Sequence, residues 1–350
     1  MVPYRIGAKY RKNDLEEHMR LPSFEYLEPT SVEEALSMID TRKDSVKIMA
    51  GGTDLLNRMK LRLTEPVCVM NIGKLKNMDS IEIGDTEVVI GANTRLNKIA
   101  SMPLLNKKFR AIAEAAFQVA SPTITNMATM GGNILQNTRC MFYNQSGVVL
   151  NGLERCHKRG GSLCLAVKGS KRCFSVYQGD LAPTLIAFNA RCVIEKKGSS
   201  RTIPLTELFT GNGISPFTIG ADELLTKVII PAPAGIYSSS YRKLRLRGSI
   251  DYPLASVAAR ISVSDDMKIS VCRLVIGAAG PAPKVIDEVS TVIEGKRSSE
   301  IDYDAIGQMA QGQTEGADNL QMPGAYRRKM ISVLAKRAVK AALDEIKGRM

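Results

Sequence analysis

The stretch from Thr129 to Asp180 constrains the chain most: TMGGNILQNTRC ends at Cys140 and is followed by steps of 16, 8 and 9 residues to Cys156, Cys164 and Cys173. Gly131 and Gly132 let a backbone approach a phosphate, and four thiols can hold a metal centre. A fold that carries this stretch must place two redox-capable sites close together. Between Arg139 and Cys173 the hydrophobic period is lost, and Arg139, Arg155, Lys158, Arg159, Lys168, Lys171 and Arg172 face a single acid, Glu154. The stretch therefore reads as an irregular insert. With so little apolar material it needs something other than a core to hold it, which a metal centre supplies. Its basic setting is expected to lower the thiol pKa values and favour thiolate ligands.

The spacing leaves three readings of the thiols. Structural zinc favours a close C-x2-4-C pair, which is missing here. A cubane iron-sulfur cluster accepts ligands from scattered positions and ranks above zinc. The plain alternative is that the cysteines are small buried or surface residues. His157, next to Cys156, is a further candidate ligand, with a solvent-facing imidazole as the simpler expectation.

A second double glycine lies 80 residues earlier, at Gly51-Gly52. VKIMA (Val46 to Ala50) reads as a short buried strand, Gly51-Gly52-Thr53-Asp54 as the turn, and LLNRMKLRL as a helix. Strand, glycine turn and helix suit an anion, because unpaired N–H groups and the helix dipole both point at it. Taken alone, the turn is explained as well by Thr53 or Asp54 capping the helix, since neither GxGxxG nor the Walker lysine is present. Two such turns from separate segments can clasp the pyrophosphate of a dinucleotide, with the Asn133 amide bonding a ribose, a phosphate or a ring edge.

The rest reads as support. Ser31 and Glu34 have capping-box spacing ahead of VEEALSMI. CVMNI and EVVIGA are strands, Thr94 caps a segment through Ile99, and Phe109 to Ala120 is a helix that ends at Ser121-Pro122. After the insert, Asp180 caps LAPTLIAF and ARCVIEKK is a strand, with Cys192 and Cys68 in the core. Arg201 to Gly220 looks like a connection between domains. LLTKVIIPAP opens a second, α+β domain, and the terminal helix places Met330, Val333, Leu334, Ala338, Ala341 and Ala342 on its apolar face.

Composition narrows the class. At 350 residues with 44% hydrophobic and 24% charged residues the chain has material for two or three cored domains. No apolar run is long enough for a bilayer span, the N-terminus lacks a secretory core, and a cytoplasmic location is expected. Seven cysteines, an odd number, argue against a disulfide framework. The net charge of +13 favours an acidic partner. Nucleic acid is disfavoured by 5% aromatic content, no Trp and the lack of any recognised nucleic-acid motif, although a zinc-stapled basic scaffold remains the reading from outside the enzymes.

AGGTDLL (Ala50 to Leu56), ATMGGNIL (Ala128 to Leu135), GDLAP (Gly179 to Pro183), YRKLRLRGSIDYPLASVAA and YRRKMISVLAKRAV together resemble the FAD-binding medium subunit of the xanthine oxidase, or molybdenum hydroxylase, family. The spacing of Cys140, Cys156, Cys164 and Cys173 resembles the insert of the 4-hydroxybenzoyl-CoA reductase β subunit, which implies a [4Fe-4S] cluster on those four residues. The resemblance implies an α+β chain: an N-terminal extension (1–20), a two-part, PCMH-like α/β FAD-binding domain (21–210) with the insert at 137–177, and a smaller α+β C-terminal domain with an antiparallel sheet (221–350). It implies that Ala50, Gly51, Gly52, Thr53 and Asp54 with Thr129, Gly131, Gly132 and Asn133 bind FAD, that Asp180 contacts the nucleotide, and that Lys243 closes over the cofactor. One departure is Thr125-Asn126, where many relatives have Arg-Asn.

The implied function is electron relay. A ferredoxin-like donor would feed the cluster and the flavin, and partner subunits with [2Fe-2S] centres and molybdenum would carry the electrons to the removal of a phenolic hydroxyl. No catalytic residue is assigned to this chain. A different dehydrogenase of the same family is the alternative within the enzymes.

Overall fold

A computed structural model describes residues 20–349; most of the N-terminal extension, residues 1–19, lies outside the described residues. Three sheets organise the chain. The first is parallel, with β3 (Cys68–Asn71) between β1 (Glu25–Leu27) and β2 (Val46–Met49). Helix α1 (Val32–Arg42) packs Ala35, Leu36 and Ile39 into the core, and Ser31 Oγ accepts from Glu34 N–H at 3.1 Å. The reciprocal bond of the box is displaced by one residue, since the Glu34 carboxylate accepts from Thr30 N–H at 2.7 Å.

The second sheet is antiparallel, with β4 (Ile81–Ile83), β5 (Glu87–Gly91), β6 (Arg191–Lys196), β7 (Ser199–Pro204) and β8 (Leu224–Pro231) in the order β4-β5-β8-β6-β7. This corrects two expectations. Leu224–Pro231 pairs with β5 and β6 instead of opening the C-terminal part, and residues from Arg201 onward belong partly to a strand. Its alternating burial explains the pairing: Leu224, Val228 and Ile230 join the core already holding Val88, Ile90, Cys192 and Ile194.

The third sheet, also antiparallel, orders β12 (Lys284–Val285), β11 (Ile269–Gly277), β10 (Ala255–Val263) and β9 (Ile236–Leu244). Every residue of β10 is buried, because both faces of the strand are covered. Val257, Ala259 and Ile261 meet the long helix Gly324–Gly348, while Ala258 joins the core of the N-terminal sheets. That helix buries Ile331, Leu334, Ala335, Ala338, Val339, Ala342, Leu343 and Ile346, a stripe rotated from the expected one. Met330, Val333 and Ala341 lie on its flank, half-buried. The architecture is α+β, as expected.

Candidate functional site

The two glycine turns meet. The first joins β2 to α2 (Leu55–Lys60), and the second runs into the short helix Met130–Ile134. A Cβ on Gly51 would lie 2.0 Å from the carbonyl oxygen of Met127, and one on Gly131 would lie 2.9 Å from the Ala92 Cβ. These two glycines let backbone pack on backbone. Gly52, with φ +72°, supplies the left-handed bend that no other residue makes cheaply. Gly132 is exposed, and a Cβ there would meet only Thr129 Oγ1, at 3.0 Å.

Between the turns lies one cleft, with about 910 Å³ of empty space including its open mouth. Ala50, Gly51, Gly52, Thr53, Asp54, Thr129, Gly131 and Gly132 all line it. The turns contribute differently. Among the described residues no protein partner occupies the N–H groups of Gly52, Thr53 or Asp54. The N–H groups of the second turn are spent: Met130 on Thr94 O, Gly131 on Ala92 O, Gly132 on Thr129 Oγ1 and Asn133 on Thr129 O. The first turn therefore offers anion donors, and the second offers shape.

Three expected roles are redrawn. Asp54 makes no side-chain cap; its carboxylate takes Arg139 Nη2 at 2.6 Å and the Asn137 N–H at 3.3 Å, tying the first turn to the root of the insert. Arg139 also stacks over the Tyr252 ring, 3.8 Å from its centroid. Thr94 gives its hydroxyl to Ser80 O instead of capping a helix. Asn133 is buried, and its Oδ1 accepts from Leu181 N–H at 3.1 Å, so it positions the helix Leu181–Ala187.

Asp180 and Lys243 form an ion pair of 2.9 Å with side chains 3% and 0% exposed, and Tyr241 OH donates to Asp180 at 2.8 Å. Asp180 does not cap its helix, and neither residue lines the cleft. Burial raises the Asp180 carboxyl above its ordinary range, with Lys243 the largest opposing influence. The pair joins the sheet of β9 to that helix, and breaking either half would strand a buried charge.

Two polar atoms in the cleft have no partner: Arg58 Nε and Asn93 Oδ1 are buried and unsatisfied. Such atoms are costly unless a ligand completes them. With Arg58, the free amides of the first turn and apolar walls from Ile48, Leu135, Ile219 and Leu225, the donor set suits a pyrophosphate next to flat ring systems. The residues fit FAD. Sequence reading missed Arg58 and Asn93, whose signal, an arginine one helical turn after Asp54, is shared by many exposed helices.

The four thiols of the insert converge. Cys140, Cys156, Cys164 and Cys173 wall one narrow space, about 300 Å³ counting its opening to solvent, together with Phe142, Tyr143, Leu163, Leu165, Ala166 and Phe174 and the polar His157, Lys158 and Ser175. The insert thus has a mostly apolar lining of its own. Among the described residues no three His, Cys, Asp or Glu side chains are gathered closely enough to hold a single ion. Two of the thiols run against the expected lowering: burial pushes Cys140 up to about 11 and raises Cys173, with Lys158 among the opposing influences at Cys173. Lys158 works against the rise at Cys173 without overcoming burial. Instead of facing solvent it is folded in, donating to Asn137 Oδ1 (2.7 Å), Thr138 O (2.9 Å) and Ser175 Oγ (3.2 Å), and burial lowers it to about 8. His157 is half-buried, with Nε2 3.0 Å from Ser170 O.

The comparisons with known proteins agree with this geometry. Residues 22–233 match the family model "FAD binding domain in molybdopterin dehydrogenase", and residues 239–342 match "CO dehydrogenase flavoprotein C-terminal domain". The chain is 28% identical to the aldehyde oxidoreductase FAD-binding subunit of Escherichia coli, across 89% of this chain and 97% of that one. It is 26% identical to the carbon monoxide dehydrogenase medium chain of Hydrogenophaga pseudoflava, across 92% and 97%. The structure of carbon monoxide dehydrogenase from the same organism superposes with a TM-score of 0.76 at 25% identity, covering 93% of this chain and 99% of that one. The first family model alone spans more than half of the chain, so the chain belongs to that family and is the FAD-binding subunit of a xanthine oxidase family molybdenum hydroxylase.

Proposed function

We propose that this subunit carries a [4Fe-4S] cluster on Cys140, Cys156, Cys164 and Cys173 beside its FAD cleft, and serves a 4-hydroxybenzoyl-CoA reductase-type complex. One observation carries the reading: four cysteines spread over 34 positions of sequence wall a single cavity. Scattered thiols around one space, with no close C-x2-4-C pair, favour a multi-iron cluster over one zinc ion.

When bound, FAD and the cluster would supply two-electron and one-electron exchange. The chain's own part is to hold them. Gly52, Thr53, Asp54 and Arg58 present donors to the pyrophosphate, Gly132 leaves room for it, and Asp180 with Lys243 supports the site from outside the cleft. Asp54 and Arg139 fix the insert against the first turn, which keeps the two sites adjacent. Aromatic and aliphatic side chains share the wall of the thiol space with His157, Lys158 and Ser175, and surroundings of this kind tune redox potential.

In this reading a molybdenum-binding large subunit performs the substrate chemistry, a [2Fe-2S] small subunit links it to this chain, and a ferredoxin-like donor supplies electrons in the cytoplasm. The similar proteins are named for aldehyde, nicotinate and carbon monoxide. The alternative within the family is therefore a complex acting on one of these classes, which a substrate panel on the purified complex separates. A basic face suits an acidic donor. The structure moves that face: Lys158 is folded in and Arg159 donates to Leu150 O and Leu153 O, leaving Arg155, Lys168, Lys171 and Arg172 exposed around the thiols.

Anaerobic purification with flavin, iron, sulfide and zinc analysis tests the proposal. Iron and labile sulfide alongside FAD are expected; a flavin-loaded protein that lacks iron, or holds zinc, overturns the cluster.

A further inference from the structure

The insert is rooted in a single antiparallel bridge. Arg139 and Val176 exchange both backbone hydrogen bonds, at 2.7 and 2.8 Å. Were the bridge extended into an antiparallel ladder, its next hydrogen-bonded pair, two residues further along each segment, would be Met141 and Phe174. That rung is not made directly. The Met141 N–H donates to the backbone carbonyl of Asn319, 2.8 Å away, and the Asn319 side-chain amide donates to the carbonyl of Phe174. One residue from a distant loop thus stands where a backbone rung would fall.

Its position matters because of what precedes each bonding partner. Cys140 comes directly before Met141, and Cys173 directly before Phe174. Asn319 is fully buried and is itself held: its Oδ1 accepts from Arg327 Nη2 at 2.9 Å. Arg327 projects from the helix Gly324–Gly348, is 4% exposed, and also donates to the carbonyl of Ala317 at 2.6 Å. Weaker bonds of 3.4 Å reach Leu254 O and Ala278 O. Each polar group of Asn319 named here has a partner, two of them beside thiol residues and one on the C-terminal helix.

We propose that Asn319, held by Arg327, is a positioning residue for the four-thiol centre: it stands in for a backbone rung and so fixes the separation of the two segments that present Cys140 and Cys173. The proposal rests on the cluster reading for what the thiols hold, but the spacing of the segments is a property of the chain alone. Partners outside a ligand set orient the ligands, and their loss typically weakens metal retention about 10- to 100-fold. A truncated side chain would also leave the Phe174 carbonyl without its donor.

The test compares wild type, Asn319→Ala and Arg327→Lys, all purified anaerobically. FAD content reports folding, while iron retention under chelator and the EPR spectrum of the reduced protein report the centre. In iron-free protein, alkylation rates of individual cysteines report the segments. Asn319→Ala is expected to keep FAD, to lose iron about tenfold faster with an altered EPR line shape, and to alkylate Cys140 and Cys173 about tenfold faster with Cys192 and Cys272 unchanged. Arg327→Lys keeps the charge but loses the fork and should fall between the two; it decides the matter if Asn319→Ala does not fold. Wild-type iron retention, spectrum and alkylation in a flavin-loaded variant overturn the proposal. If wild type holds no iron, the cluster reading fails by itself, and alkylation alone upholds or overturns the positioning role.

Discussion

The two glycine turns look alike in sequence and differ in what they offer. Gly51-Gly52 opens a loop whose amides face the cleft without protein partners, whereas Gly131-Gly132 opens a helix whose amides are all bonded within the protein. Gly51 and Gly131 serve the same end, close contact between backbones, and only Gly132 stands where a ligand explains the absence of a side chain. A double glycine therefore reports proximity of something, and coordinates are needed to say whether that something is the chain itself.

Substitutions sharpen the contrast. Gly51→Ala should have the largest effect, costing about 3 kcal/mol of stability, since the new Cβ meets a carbonyl that has no room to yield; urea unfolding measures it, and a loss below about 1 kcal/mol would mean that the turns slide apart easily. Arg58→Ala comes next. It should weaken FAD binding by about 2 kcal/mol, roughly thirtyfold, with unfolding shifted by less than about 0.5 kcal/mol, as read by flavin fluorescence titration. Thr129→Ala removes the cap of the second turn and should cost about 1 kcal/mol of stability, with FAD affinity held within about twofold. If Thr129→Ala weakened FAD more than Arg58→Ala did, the division of labour between the turns would be reversed.

Much of this molecule is legible in its residues because local chemistry and tertiary structure agree. Ser31 does accept from Glu34, Val46 to Met49 is a strand, and Cys68 and Cys192 lie in the core. The convergence of Cys140, Cys156, Cys164 and Cys173 was suggested by an insert without hydrophobic period or a core of its own. What was not legible involves long-range competition. Asp54, Thr94 and Asp180 all have the composition of caps, but Arg139, Ser80 and Lys243 claim their side chains from far along the sequence. Lys158 counts as surface charge until the fold closes over it. The thiols were expected to be acidic from the charge around them, and at Cys140 and Cys173 burial decided otherwise. The apolar stripe of the last helix was misplaced because alanines fit either face, and only the packing against β10 selects Ala335, Val339 and Leu343.

The strand Leu224–Pro231 has a consequence for how the protein is made. It fills the middle of a sheet in which β4 and β5 are translated much earlier, so Glu87–Gly91 leaves the ribosome with one edge bare and waits for a neighbour more than a hundred residues downstream. At ordinary elongation rates that delay is on the order of ten seconds. During it the nascent edge of β5 is open to foreign strands, and β6 joins it as a second open edge only near the end. Chaperone demand, sensitivity to slow codons and a tendency to aggregate when truncated near residue 220 should all trace to this one late arrival.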